Sequence, residues 1–237
     1  MNGQAIDHLA TEIHRQFQRR PGSDYIATPF TIAGLLRTME RVRPHRMIEV
    51  GAGIGTLTFA ACSALEKLHG AGKGAFTLYV IESNEFCRGE LAKNLAQFAG
   101  NYTLLRSGAE LPSDHAAFDL ISIDGRQLDQ IPRLSTRAAI YVEGDMRDRR
   151  DMLSTQLAHR DYCVANYRPL DRGKGYWLFQ LDPTLRERVE MGARRAFEAA
   201  GHAAVKTARR HVGEHNVERI YAIALAAAQR LARHAKY

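Results

Sequence analysis

The sequence predicts an α/β fold: a doubly wound, mostly parallel sheet with an antiparallel last strand, followed by a helical C-terminal extension. Three observations predict it. Short apolar runs alternate with segments of helical periodicity up to about residue 181. A glycine-rich turn joins the first apolar run to a helix. Two strand-like runs separated by a glycine-containing loop, and then a basic helical stretch, complete the chain.

Two helices are predicted before the first strand. Apolar residues recur every three or four positions over residues 3–19, and the Arg-Pro-Gly-Ser of residues 20–23 interrupts that pattern. A second helix is predicted with Thr28 as its N-cap and Pro29 in its first turn, and Pro44 ends it.

The chain is organised around residues 47–58. The apolar run over residues 47–50 is typical of a strand buried on both faces, and a helix is predicted from Thr56. Between them stand Gly51, Gly53 and Gly55. This is the layout of a nucleotide-type cofactor site, where glycine permits positive φ and a close ligand. The third glycine comes one residue too early for the dinucleotide pattern G-x-G-x-x-G. A nicotinamide site and a turn that binds nothing are the alternatives.

Residues 49–55, Glu-Val-Gly-Ala-Gly-Ile-Gly, resemble motif I of the class I S-adenosylmethionine-dependent methyltransferases, E/D-x-G-x-G-x-G. The resemblance implies a Rossmann-like fold, S-adenosylmethionine as cofactor and an enzyme that transfers its methyl group. It places Glu49 near the ammonium of the cofactor's methionine part. The turn residues that it places against the cofactor are Gly51, Ala52, Gly53 and Gly55.

The second strand, residues 76–81, ends in Glu82. A carboxylate at this point can accept hydrogen bonds from both ribose hydroxyls, and the resemblance places Glu82, with Ser83 beside it, in that role. A surface glutamate at a strand end is the alternative. A helix over residues 84–99 and a third strand over residues 102–105 follow.

The adenine contact is expected after the third strand. Relatives often carry an acid there, but this chain has glycine at position 108. Backbone groups near Gly108 and Ala109 are therefore the expected contacts of the adenine.

Residues 118–125, Phe-Asp-Leu-Ile-Ser-Ile-Asp-Gly, resemble the F-D-L-I-F-I-D-G of small-molecule O-methyltransferases of the catechol and caffeoyl-coenzyme A type. Asp124 ends this fourth strand, and Glu143 follows the fifth, residues 138–142. Ligands of open α/β sheets bind at such carboxyl ends. The two acids are the candidate catalytic acid–base pair, and Asp124 is also a candidate cofactor contact. Alternatively, one or both bind the cofactor or cap a helix.

No metal site is predicted. Metal-dependent relatives carry an aspartate–asparagine pair after strand five, and some carry a catalytic lysine after strand four. This chain has Glu-Gly at positions 143–144 and Arg-Gln-Leu at positions 126–128. Metal-dependent catalysis is the alternative.

A helix over residues 147–160 and two strands, residues 161–167 and 176–181, end the predicted methyltransferase domain, residues 1–183. The extension, residues 184–237, holds eleven Lys or Arg and five Glu, so it carries most of the chain's net charge of +7. An apolar stripe on its last helix favours packing, most simply in a homodimer. Nucleic-acid binding through its basic face is the alternative.

Composition favours a cytoplasmic protein. No apolar run reaches the roughly 18 residues of a membrane span. The first ten residues lack the apolar core of a secretion signal, and the three cysteines lie far apart without C-x-x-C spacing. The predicted reaction moves a methyl group from S-adenosylmethionine to an oxygen or nitrogen of a small-molecule acceptor. The alternative is an S-adenosylmethionine-dependent RNA- or nucleic-acid-binding protein, or methyltransferase, that uses the basic extension.

Overall fold

The computed structural model describes residues 2–70, 74–113, 116–124, 132–144, 147–168 and 174–192. They fall into two units. The first comprises the described residues up to 183. The second is described over residues 184–192, of which 185–192 are helical. The remainder of the predicted extension, with its apolar stripe and most of its basic residues, lies outside the described residues.

The described part of the first unit contains helices and strands in the predicted alternation. The helices are α1 (Gly3–Phe17), α2 (Pro29–Val42), α3 (Thr56–His69), α4 (Glu85–Asn94) and α5 (Arg147–Gln156). The strands are β1 (Arg46–Val50), β2 (Thr77–Ile81), β3 (Thr103–Leu105), β4 (Phe118–Ile123), β5 (Leu134–Glu143), β6 (Tyr162–Tyr167) and β7 (Tyr176–Leu181). None of the described helices is both long and apolar enough to cross a membrane.

The strands form one sheet in the order β3-β2-β1-β4-β5-β7-β6. Pairing is parallel from β3 to β5, and β7 runs antiparallel to both β5 and β6. The predicted doubly wound, mostly parallel sheet with an antiparallel last strand is confirmed. The strand order reverses between β1 and β4, so these two strands form the topological switch point, where open α/β sheets bind ligands.

The central strand β1 is buried on both faces. Met47 packs in a core cluster with residues of α1 to α4, whereas Ile48 and Val50 pack in a second cluster with residues of α5. Successive side chains of a strand point to opposite faces, which explains the apolar run in the sequence. The same alternation puts Glu49 on the face of Met47, toward the first cluster.

The first turn of α2 is held as the sequence predicts. The Thr28 side chain accepts a hydrogen bond from the backbone N–H of Thr31 at 3.2 Å, and Pro29 begins the helix. Further along α2, Gly34 lies against β7, since a Cβ at Gly34 would come 2.2 Å from the Tyr176 ring. The missing side chain lets α2 approach the sheet above β5.

Three element boundaries differ from the predicted ones by more than two residues. The α-helix α4 ends at Asn94 and continues as a 3-10 turn, Ala96–Phe98, because Leu95 and Phe98 turn into the core. Strand β5 begins four residues early, at Leu134, across an irregularity where Arg137 has φ of 65°. The polar residues at its start hid this part from the hydrophobic pattern. The helix predicted over residues 147–160 ends at residue 156.

Candidate cofactor site

The carboxyl ends of β1, β2 and β4 meet at the switch point of the sheet. The backbone N–H of Gly51 donates to the carbonyl of Ile81 at 2.9 Å, and that of Asp124 donates to the carbonyl of Val50 at 2.9 Å. These bonds continue the strand pairing by one residue into the loops. They hold the glycine turn between the ends of the two neighbouring strands.

The three glycines of the turn all have positive φ, 81° at Gly51, 55° at Gly53 and 94° at Gly55. Gly53 and Gly55 differ in what surrounds them. At Gly55 a Cβ would come 2.5 Å from Cδ1 of Leu95, so this glycine permits packing against the helix α4 region. At Gly53 a Cβ would meet nothing within 4 Å. Gly53 therefore faces open space, as a residue beside a ligand does.

Glu82 holds the turn from the end of β2. It is 4% exposed. Its Oε2 accepts a hydrogen bond from Gly53 N at 2.7 Å, and its Oε1 accepts one from Asn84 N at 2.8 Å. Each carboxylate oxygen keeps a further lone pair, so the predicted ribose contact stays compatible with this arrangement.

Glu49 has the opposite surroundings. It is 1% exposed, and neither of its carboxyl oxygens has a hydrogen-bond partner among the described residues. Burial raises the pKa of Glu49 from 4.5 to about 8, and the negative charges of Asp124 and Glu82 add to the rise. The Thr58 hydroxyl is near enough to offset part of it but does not meet hydrogen-bond geometry. A buried acid of this kind is costly unless a ligand supplies its partner.

A pocket with a volume of about 120 Å³ lies at the glycine turn, beside Glu49. Its walls come from the glycine turn, the start of α3, the end of β4, helix α4 and the segment between α1 and α2. The lining residues are Gly22, Tyr25, Ile26, Ala27, Glu49, Ala52, Gly53, Ile54, Thr56, Leu57, Cys87 and Asp124. A drug-sized ligand needs roughly 300–1,000 Å³, so this space suits one polar end of a ligand.

A larger open groove lies on α1 between polar side chains, those of Glu12, Arg15, Gln16, Arg19 and Arg20. All but Arg20 belong to the last turns of α1 or follow it directly, and their side chains face solvent. It contains no buried polar group, so the pocket at the switch point is the better candidate site.

The structure brings four of the predicted cofactor residues together. Glu49, Ala52, Gly53 and Asp124 line the pocket. The remaining six lie outside its lining among the described residues: Gly51, Gly55, Glu82, Ser83, Gly108 and Ala109. Of these, Glu82 touches the pocket through Gly53. Residues 108–110 form a 3-10 turn after β3.

Sequence reasoning missed one wall of the pocket. Gly22, Tyr25, Ile26 and Ala27 line it, although they precede the glycine turn by more than twenty residues. The break at residues 20–23 signals a turn, but nothing in the sequence places that turn above β1. Cys87 also lines the pocket, although the sequence analysis predicts no role for it.

The predicted catalytic pair lies beside this pocket. Asp124 is half-buried at the end of β4, and Glu143 is 0% exposed at the end of β5. Thr31 Oγ1 donates to Glu143 Oε1 at 3.1 Å. Burial and the neighbouring Asp124 raise the pKa of Glu143 well above 4.5, and Lys174 acts in the opposite direction. The two predicted acids are therefore close enough to interact.

No model of a protein family and no curated protein matches the sequence. Solved structures do match. A Staphylococcus aureus protein assigned as a caffeoyl-CoA O-methyltransferase is 15% identical, with 76% of this chain and 99% of that chain covered and a TM-score of 0.54. The O-methyltransferase TomG from Streptomyces achromogenes, solved with S-adenosylmethionine, is 17% identical, with 75% and 90% covered and a TM-score of 0.51.

A third match is named as a methyltransferase of carbon, not of oxygen. The precorrin-6y C5,15-methyltransferase from Geobacter metallireducens is 18% identical, with 71% of this chain and 96% of that chain covered and a TM-score of 0.52. At such identities the likeness is one of fold. The predicted Rossmann-like fold and its resemblance to S-adenosylmethionine-dependent methyltransferases are confirmed at this level.

Proposed function

We propose that this chain is an S-adenosylmethionine-dependent methyltransferase that transfers a methyl group to an oxygen or nitrogen of a small-molecule acceptor. The observation that carries the proposal is the buried carboxyl of Glu49, which lines the pocket without a hydrogen-bond partner among the described residues. The fold, shared with structures solved with S-adenosylmethionine or with S-adenosylhomocysteine, supports the same conclusion.

The charges of the pocket favour a cationic ligand. Glu49 lies near Asp124 and Glu82, and each of these acids raises the pKa of Glu49 through its negative charge. S-adenosylmethionine has an ammonium and a sulfonium, which can pair with such acids. A nicotinamide dinucleotide would instead bring a pyrophosphate, whose negative charge repels them. The pocket thus supports the methyl donor over the dinucleotide alternative.

We assign the remaining cofactor contacts by their positions around the turn. Gly51, Gly53 and Gly55 shape the turn, and the open side of Gly53 leaves room for the ligand. Glu82 is assigned to the ribose because it ends β2 beside Gly53. Ala52 is assigned because it lines the pocket. The contacts assigned on the sequence pattern alone are Ser83, Gly108 and Ala109.

The bound cofactor supplies an electrophilic methyl group, so the protein's main task is to position the acceptor against it. Asp124 reaches the pocket and is the candidate base if the acceptor loses a proton. The fold does not select the acceptor atom, since carbon- and oxygen-directed enzymes share it. The absence of the aspartate–asparagine pair supports a metal-independent reaction.

We also propose that residues 1–183 form the catalytic domain of a cytoplasmic homodimer in which residues 184–237 provide packing. The apolar stripe and the charge of the extension support this division. Removal of residues 184–237, followed by measurement of the mass in solution, tests it. A truncated protein that keeps its oligomeric state and its stability contradicts the packing role, and loss of a salt-sensitive RNA affinity favours the nucleic-acid alternative.

Calorimetric titration tests the cofactor. S-adenosylmethionine and S-adenosylhomocysteine should bind, and NAD and NADP should not. A Glu49→Gln variant should bind S-adenosylmethionine more weakly, because the neutral amide cannot pair with its ammonium. Glu12→Gln, on the exposed surface of α1, is the matched control and should bind like the wild type. Tight NAD binding without S-adenosylhomocysteine binding contradicts the proposal.

A labelled methyl donor then identifies the acceptor. Label transferred to a fraction of a metabolite extract should require the protein and should persist in EDTA. Loss of transfer in EDTA with recovery in Mg²⁺ contradicts the metal-independent reaction without affecting the cofactor assignment.

A further inference from the structure

Asp124 and Glu143 end neighbouring strands but occupy different places. β4 and β5 pair in parallel with Ile123 opposite Val142, so each acid stands one residue beyond the last pair. Asp124 is half-buried and lines the pocket. Glu143 is 0% exposed and is not among the described residues that line the pocket. A ligand in the pocket therefore meets Asp124 and not Glu143.

One oxygen of Glu143 has a donor, and the other has none. Oε1 accepts from the Thr31 hydroxyl at 3.1 Å, on the first turn of α2. That turn is fixed from β5, because the Tyr141 hydroxyl donates to the carbonyl of Thr31 at 2.7 Å. Oε2 is buried without a donor among the described residues. An ionised Glu143 would leave a negative oxygen buried and unpaired, which is strongly unfavourable.

Asp124, one residue beyond the last pair of β4 with β5, is the acid beside Glu143. The two carboxyl groups are close enough for a side-chain hydrogen bond. Two carboxyl groups can form one only when one of them holds a proton. Burial, and then the charge of Asp124, raises the pKa of Glu143 well above 4.5, and Lys174 only offsets part of this. Glu49, on β1, is not among the groups that shift the pKa of Glu143.

We propose that Glu143 is a positioning residue that holds a proton and donates a hydrogen bond to Asp124, which leaves Asp124 ionised toward the pocket. The inference rests on the proposed function, since the pocket ligand is taken to be the methyl donor. The predicted acid–base pair thus divides into two roles. Asp124 meets the ligand, and Glu143 orients Asp124 from behind as a neutral acid, so it adds no charge to the acids already present.

Matched variants of Glu143 separate this role from that of an ionised acid. Glu143→Gln keeps a donor toward Asp124 and an acceptor toward Thr31, whereas Glu143→Leu removes both. S-adenosylhomocysteine affinity should fall about 10- to 150-fold in Glu143→Leu, as on loss of a hydrogen bond to a charged group, and Glu143→Gln should restore it to within about threefold of wild type. The S-adenosylhomocysteine affinity of Asp124→Asn should fall as far as that of Glu143→Leu. If the affinity of Glu143→Gln falls as far as that of Glu143→Leu, Glu143 acts as an ion and the proposal is wrong.

Infrared spectroscopy of the ligand-free protein locates the proton directly. Because Glu49 also holds a proton near neutral pH, the measurement uses Glu49→Gln as the background. Its spectrum at pH 7 should contain the carbonyl band of a protonated carboxyl, and addition of Glu143→Gln should remove that band. An unchanged spectrum overturns the proposal, even if Glu143→Leu does not fold. If the wild type binds neither S-adenosylmethionine nor S-adenosylhomocysteine, the proposed function is refuted instead. The infrared result still decides where the proton lies.

Discussion

The acids at the two edges of the sheet have opposite hydrogen-bonding surroundings. At the amino edge, Asp119 near the start of β4 accepts hydrogen bonds from the backbone N–H groups of His45 and Arg46, both at 3.0 Å, and from the Ser135 hydroxyl at 2.9 Å. At the carboxyl edge, Glu49 on the adjacent strand β1 has no such partner among the described residues. Both acids belong to paired central strands, so strand position alone does not distinguish them.

The difference teaches how to separate a structural acid from a binding acid. Asp119 accepts hydrogen bonds from three donors that the fold itself provides. These bonds connect β4 to the start of β1 and to the start of β5. Glu49 leaves its hydrogen-bonding capacity for a molecule that the chain does not contain. A fully satisfied carboxylate stabilises the fold, whereas an unsatisfied buried one destabilises it until a ligand arrives.

The largest expected effect is the pH dependence of the ligand-free protein. The pKa of Glu49 is about 8 in the folded chain, against 4.5 when unperturbed. Between these values the folded chain keeps a proton that the unfolded chain has lost, so the stability contributed by Glu49 falls as the pH rises. The full difference is about 5 kcal/mol. Urea unfolding from pH 5 to pH 8 should show Glu49→Gln becoming progressively more stable than the wild type.

A control on the surface sharpens this measurement. Glu12→Gln should stay within about 1 kcal/mol of the wild type at every pH, because the Glu12 side chain is 55% exposed and the ion pair with His8 that the variant removes is a surface pair. If Glu49→Gln also runs parallel to the wild type, Glu49 is ionised in the folded chain, and the contrast between the two edges of the sheet disappears.

Glu82→Ala should reduce both the stability of the fold and the affinity for the cofactor, since Glu82 is at once a structural acid and a binding acid. It holds the N–H groups of Gly53 and Asn84 and is assigned to the ribose. The expected loss of S-adenosylmethionine affinity is about 1.5–3 kcal/mol, or roughly 10- to 150-fold. Calorimetry on the folded variant measures it. Unchanged affinity would remove Glu82 from the site and leave it a structural acid like Asp119.

Asp119→Ala should affect stability alone. Loss of the carboxylate removes two hydrogen bonds to the exposed backbone N–H groups of His45 and Arg46, which water can replace, so the expected cost is about 0.5–1.5 kcal/mol in the free energy of unfolding. The affinity for S-adenosylhomocysteine should stay within about threefold of wild type, because Asp119 lies at the opposite edge of the sheet from the pocket. A large loss of affinity in a folded variant would show that the two edges are not independent.

Much of the fold could be predicted because the relevant signals are local. The strand, turn and helix around residues 47–58 appear where the apolar run, the glycines and the helical periodicity place them. Thr28 and Pro29 begin α2 as their capping preferences predict. Errors arose where packing outweighed local pattern, as at Leu95, which leaves the helix to fill the core. The polar start of β5 is the reverse case, where pairing with β4 extends a strand that burial alone does not reveal.

By itself the sequence determined the α/β class, the glycine turn and the acids that end β1, β2, β4 and β5, because each depends on residues close together in the chain. Only the tertiary structure decided that residues 22–27 wall the pocket, that β7 lies between β5 and β6, and that Glu143 lies behind Asp124. The physical reason is that burial and hydrogen-bond satisfaction depend on distant segments. The sequence alone does not distinguish a carboxylate with three hydrogen-bond donors, as at Asp119, from one with no donor among the described residues, as at Glu49.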